Sequence, residues 1–158
     1  MIDGEQYIDT AIATLKDDLP ARLAAIDAEH TDFELDVPAD NAYSLGSSEV
    51  LRFPWIEVAL VNSDIDGFDL GQGSGDQRST IIIACRYQHG NGEHLDRALR
   101  RYARAVMEVL MAPDAFGPHE TVSAIRVAYG TNPEFDEKMM LNGVAVCGFT
   151  VDGIAYLP

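Results

Sequence analysis

The order of patterns along the chain constrains its fold more than any single motif does. An amphipathic helix comes first, then two strand-like runs around an Asp/Gly tip, a second amphipathic helix and two further strand-like runs. This αββαββ order predicts an α+β fold: a mainly antiparallel sheet of about four strands, helices packed on one face, and a long-tipped β-hairpin. At 158 residues the chain is expected to form one domain, 1–158, with a core large enough to stand without disulfides or metal.

From Gly4 to about Asp18, the residues Ile8, Ala11, Ile12, Leu15 and Leu19 recur at helical spacing on one face, with Gln6, Asp9, Thr10 and Asp17 opposite. Pro20 is expected to break or kink this helix. Leu23 and Ile26 continue the spacing, so a second short segment is predicted over Pro20 to Ala28, with proline at its first position. Thr31 to Val37 alternate weakly and end at Pro38, and Ala39 to Ser48 reads as irregular.

Phe53 to Val61 is rich in aromatic and β-branched residues and predicts a strand, with Pro54 at its start or on an edge. Its partner is Thr80 to Tyr87, where Ile81, Ile82 and Ile83 imply burial on both faces or under a helix. Between them, Asn62 to Ser79 is too long for a tight turn, and its glycines predict a protruding tip. Helix two is predicted from about His94 to Met111. Leu95, Ala98, Leu99, Tyr102, Val106, Val109 and Leu110 share one arc, and Arg97, Arg100, Arg101 and Arg104 lie on the opposite side. Pro113 stops it. Thr121 to Tyr129 and Gly143 to Asp152 supply the last two strands, the latter with Val144, Val146, Gly148, Thr150 and Ile154 half-exposed.

Charge narrows the function. The net charge of -15 is uneven, with 17 acids against 4 bases in residues 1–79 and 9 against 7 in residues 80–158. A surface of this sign repels phosphate backbones, so nonspecific DNA binding through an overall basic field is not expected. Cys85 and Cys147 each sit in an apolar strand-like run without CxxC spacing, which reads as two buried free thiols. No apolar run is long enough to span a membrane, and the N-terminus lacks the pattern of a signal peptide, so synthesis in the cytosol is expected.

No constellation of residues carries a catalytic signature. Asp64, Asp66, Gly67 and Asp69 invite a calcium reading, but the glycine arrives at the fourth position and no glutamate stands at the twelfth, as an EF-hand requires. A phosphate cradle in the same glycines would need a following helix and usually a lysine, whereas a strand follows and aspartates surround the site. His89, Glu93 and His94 lie at a strand-to-helix turn and read as turn and cap residues. Ser44, Ser47, Ser48, His30 and His119 have no nucleophile-elbow or triad spacing. No enzyme, metal or cofactor is therefore expected. Trp55 is expected to anchor the core or an interface.

The arginines of helix two are the sharper feature. Such a row is ordinarily a solvated face. The alternative is electrostatic docking, in which Arg97, Arg100, Arg101 and Arg104 meet acids of a neighbouring copy, such as Asp17, Asp18, Asp27, Glu29 or Glu34. Unlike patches on one chain suit head-to-tail contacts that close into rings.

In its ATLKDDLPARLAAI stretch, the long-tipped hairpin from Phe53 to Tyr87, the central helix LDRALRRYARAVMEVL and the closing strand NGVAVCGFTVDG, the chain resembles the tail terminator, or tail completion, proteins of long-tailed bacteriophages. The resemblance covers most of the chain and implies a structural virion protein that forms a homo-oligomeric ring, a hexamer in that family, at the end of the tail tube. It further implies partners in the tail tube and the head-tail neck, DNA passing through without specific binding, no membrane, and synthesis in a bacterial host. Head-closure or neck connector proteins look similar at this level, and a small-molecule-binding α/β regulatory module shares the element order. A ring that passes DNA should not attract phosphate, so Asp64, Asp66, Asp69 and Asp76 are expected to face the channel or an adjoining ring.

Overall fold

The computed structural model of the chain describes residues 4–46 and 49–156; Ser47 and Ser48, discounted above as nucleophiles, lie outside the described residues. Two helices and five strands follow in the order α1 (Gly4–Asp27), β1 (Tyr43–Leu45), β2 (Trp55–Asp69), β3 (Ser74–His89), α2 (Gly92–Leu110), β4 (Thr121–Thr131) and β5 (Leu141–Tyr156). The sheet order is β1-β2-β3-β5-β4, antiparallel throughout except for the parallel pair of β1 and β2. The α+β class and the one-sided packing of helices agree with the sequence reading.

Residues on alternate positions of the sheet build the core. Ile56 and Val58 stand across from Cys85 and Ile83, which stand in turn across from Ala145 and Cys147, and all six are buried under the helices. The stripe of α2, Leu95, Ala98, Leu99, Tyr102, Val106, Val109 and Leu110, is buried as its spacing predicts. Gly143 sets how closely α2 lies on β5, because a Cβ there would sit 2.6 Å from Leu99 Cδ1. Both thiols are buried, which pushes Cys147 up to about 12 and Cys85 well above its ordinary value.

Three expectations need correction. The predicted break at Pro20 does not occur: α1 runs unbroken for 24 residues with Pro20 inside it. An interior proline costs about 3 kcal/mol, but Leu19, Leu23 and Ile26 are almost wholly buried on the same stripe as Leu15, and each such side chain returns about 1.5–3 kcal/mol. Burial wins. Tyr43–Leu45, inside the stretch read as irregular, adds a fifth strand beside β2. The tip of the hairpin is also shorter than predicted. Its strands continue through the acidic stretch to Asp69 and resume at Ser74, leaving Leu70–Gly73 as the turn.

Candidate functional site

Strand alternation sorts the hairpin acids onto one face. Asp64 pairs across to Arg78 and Asp66 to Asp76, while Arg78 and Asp76 stand opposite Asp152 and Ile154 of β5. These positions have the opposite parity from the core residues Ile81 and Ile83, so Asp64, Asp66, Asp76 and Asp152 share the sheet face that carries no helix. Arg78 is the one base among them. Its Nε donates to Asp152 Oδ1 over 2.7 Å, and this hydrogen bond holds the Asp152 carboxyl below the usual carboxylate range. Asp66, Asp76, Arg78 and Asp152 line a shallow cleft of about 280 Å³.

Asp69 behaves differently. Its Oδ1 accepts from the backbone N–H of Gly71 at 2.7 Å, so it shapes the turn. Among the described residues no group of three or more His, Cys, Asp or Glu side chains is placed to hold a metal ion.

Further along the same helix-free face the sheet is largely uncharged, with Ala59, Ile82, Ala84, Val144 and Val146 at successive cross-strand positions. Glu57 is buried there and accepts from Arg86 Nε at 3.2 Å and Nη2 at 3.4 Å. Trp55 is buried beside it and its indole donates to Ser44 Oγ of β1, so the lone tryptophan ties β1 to the sheet.

The arginines of α2 form a second cluster, on the helix side. Arg104 donates from Nη1 and Nη2 to Glu29 and from Nε to Glu108. Arg101 grips Asp32 with both terminal nitrogens, and Arg97 reaches Asp32 and Glu93. Arg100 pairs with Asp96 one turn back and lies over the Tyr129 ring. Only 7% of Arg101 is exposed. It therefore does not project into solvent with the other three, because the segment after α1 folds across it and stacks Phe33 beneath its guanidinium at 4.3 Å.

That segment is tied down at several further points. Asp27 accepts from the Leu35 N–H, Tyr102 OH donates to the Asp36 carbonyl at 2.6 Å, and Tyr87 OH donates to Asp36 Oδ2 at 2.8 Å. Burial first, and Asp36 after it, push the Tyr87 phenol above its ordinary value. Of the acids expected to meet a neighbour's arginines, Glu29 is bound by Arg104 of its own chain and Asp27 anchors Leu35. Asp17 and Asp18 stand exposed on α1, and Glu34 is exposed beyond it. A seam made by these arginines would have to exchange pairs already formed within the subunit. The roles of Asp32, Phe33 and Asp36 were missed from sequence; the available signal was the run of acids from Asp27 to Asp36, comparable in number to the arginines of α2.

The histidines at the start of α2 also have structural partners. Asn91 caps the helix, its side chain accepting from His94 N at 3.0 Å, and His89 Nδ1 accepts from Asn91 N. The rings of Phe33, His94 and His89 stack in series at 3.7 and 3.6 Å. Burial lowers the His94 pKa, and the neighbouring His89 lowers it further.

No family model matches the chain, and no curated protein does. Among solved structures, a chain of the particle described as "Virion of native gene transfer agent (GTA) particle" is similar at 15% identity and a TM-score of 0.41, over 88% of this chain and 95% of that one.

Proposed function

We propose that the chain is a structural subunit of a phage-like virion, repeated as a ring at the end of a tail tube, where it terminates the tube and joins the tail to the head. It is not an enzyme in this reading. The observation that carries the proposal is the placement of Asp66 directly opposite Asp76 on the helix-free face, with Asp64 and Asp152 alongside and only Arg78 among them. Like charges directly opposite in a sheet destabilise the pairing. Local stability therefore does not account for this face, whereas a channel wall that must not retain a polyanion does.

In the ring, this face lines the channel or meets an adjoining ring, and the helices form the outer layer. Asp17 and Asp18 stand exposed on α1 and, among the described residues, form no ion pair, so ionic contacts between helix faces belong to the same proposal. The test is DNA retention. The wild-type ring should leave double-stranded DNA unretarded at low salt, whereas Asp66→Lys with Asp76→Lys should retard it in a salt-dependent way. Retention of DNA by the wild-type ring, or a density map of the ring with the hairpin on its outer rim, overturns the reading.

A further inference from the structure

The sheet of a single subunit is open at both sides. β4 forms one edge, and among the described residues its outer backbone groups meet no other strand. On the other side β1 pairs with Ile56, Glu57 and Val58, and among the described residues no strand pairs with the outer edge of residues 59–69 of β2. Soluble proteins guard exposed edges with Lys, Pro, inward charges or bulges. β4, TVSAIRVAYGT, contains no Pro, Lys, Asp or Glu, and its one irregularity lies near its start, between Val122 and Ala124. The open stretch of β2, ALVNSDIDGFD, carries Asp64, Asp66 and Asp69. The β4 edge carries one charge, the cation Arg126, and the open stretch of β2 carries acids, so the two complement each other, while β2 against β2 would set acid against acid.

We propose that β4 of one copy pairs with residues 59–69 of β2 in the next copy, so that the sheet continues across the subunit seam. This rests on the ring reading above and names the surface that would close it. Polarity agrees: β2 is antiparallel to β3, β3 to β5 and β5 to β4, so β2 and β4 run oppositely and a head-to-tail repeat makes them antiparallel neighbours. Length agrees as well, since β4 has 11 residues and covers the open stretch, whose own register shifts lie between Leu60 and Asn62 and between Asp66 and Asp69, on either side of the Asp64–Ile65 contact.

The side chains select a register. Arg126 stands opposite Gly148 on the helix-free face, has no ion pair among the described residues, and shares that face with Asp64. Ile125, opposite Phe149, lies on the helix side, as does Ile65 opposite Gln77. Aligning Arg126 with Asp64 brings Ile125 against Ile65, so one charge pair and one apolar pair form together, each on its own face. On the helix side, a cleft of about 500 Å³ beside β4, lined by Leu110, Phe116, Val122 and Ile125, receives the Ile65 side chain, which is 36% exposed in the single chain.

This register also has the offset that closure needs. Within a subunit, Thr121 is level with Asp64 through Asp152 and Arg78; across the seam it stands opposite Asp69, five residues along. Strands in a closed sheet tilt by roughly 35–45°. Over the four strands β2, β3, β5 and β4 that repeat in such a sheet, about 4.8 Å apart, that tilt calls for a stagger of roughly 13–19 Å per subunit, or about four to six residues.

Two measurements test the seam. Native mass spectrometry of the wild-type chain comes first, and a monomer at every concentration overturns ring and seam together. Given a ring, the double variant Ile65→Cys, Ile125→Cys should give a covalent ladder of subunits under mild oxidation. Arg126→Asp should raise the concentration needed for half-assembly roughly tenfold or more, and adding Asp64→Arg should restore it. A ring that forms no ladder and assembles unchanged with Arg126→Asp overturns the seam while leaving the ring.

Discussion

Arg101 holds Asp32 through two hydrogen bonds, 2.9 Å from Nη1 to Oδ1 and 2.7 Å from Nη2 to Oδ2. The guanidinium at the same time covers the Phe33 ring. A planar fork on a carboxylate fixes direction as well as distance, so this pair decides where the chain goes after α1. With Arg104 on Glu29 and Tyr102 on the Asp36 carbonyl, it binds residues 29–36 along α2 and closes the core from outside.

Arg101→Ala should therefore loosen that segment. The melting temperature should fall by roughly 5 °C, with faster proteolytic cleavage between Ala28 and Pro38. Arg100→Ala removes an exposed one-turn pair and an exposed contact with the Tyr129 ring and should lower the melting temperature much less than Arg101→Ala does. Equal behaviour of the two variants would sink the clamp.

Acid should act through the same contact. The hydrogen bonds from Arg101, then the backbone N–H of Phe33 and Arg97, hold the Asp32 carboxyl well below the usual carboxylate range. A depressed folded value contributes stability that is complete above the unfolded-chain value of about 4 and is lost as pH falls through the folded value. The urea midpoint should drop between pH 5 and pH 3, and Asp32→Asn should start lower at pH 5 and drop less. An identical pH dependence in the variant would remove Asp32 from the acid response.

His94 adds a step nearer neutrality. Burial and the stacked His89 lower its folded pKa, so the fold favours the neutral ring. Stability is complete above the unfolded value near 6.5 and is lost as pH falls through the depressed folded one. His94→Phe keeps a ring between Phe33 and His89 and should flatten stability between pH 7 and pH 5 relative to wild type. A variant that follows the wild-type curve across that range would contradict this assignment.

Gly143 should tolerate no side chain. A Cβ would meet Leu99 Cδ1 at 2.6 Å and Leu95 Cδ1 at 3.3 Å, both buried in the stripe that α2 lays on the sheet. Gly143→Val should cost roughly 1–3 kcal/mol by overpacking, read as a lower urea midpoint at unchanged slope. Gly148→Ala should cost less, because its nearest neighbour would be 3.9 Å away.

Much of the fold was legible because periodicity reports which side of an element is buried. The arc of α2 from Leu95 to Leu110, the paired strands and the two core thiols follow from apolar spacing alone. Pro20 misled for a definable reason. Its local penalty is visible in the sequence, whereas the burial of Leu19, Leu23 and Ile26 that outweighs it depends on the sheet beneath. The acidic hairpin misled similarly, since Asn62 to Ser79 has loop-like composition, yet β5 extends far enough to pair β3 as far as Ser74 opposite Tyr156. The candidate site was legible in part. The residues Asp64, Asp66 and Asp76 could be named from sequence, but not the shared helix-free face on which they stand, nor the engagement of the α2 arginines within their own chain.

The sequence by itself determined the order of the two helices and the four long strands, the buried stripes and the uneven charge distribution, because each of these depends on residue type and a local repeat. Only the tertiary structure decided that Asp32 and Phe33 lie under Arg101, that Asp66 meets Asp76, and that β2 and β4 end as opposite open edges of one sheet. Those relationships join residues distant in the chain. Their energies come from desolvation and hydrogen-bond geometry at contacts that exist only once the helices have closed over the sheet.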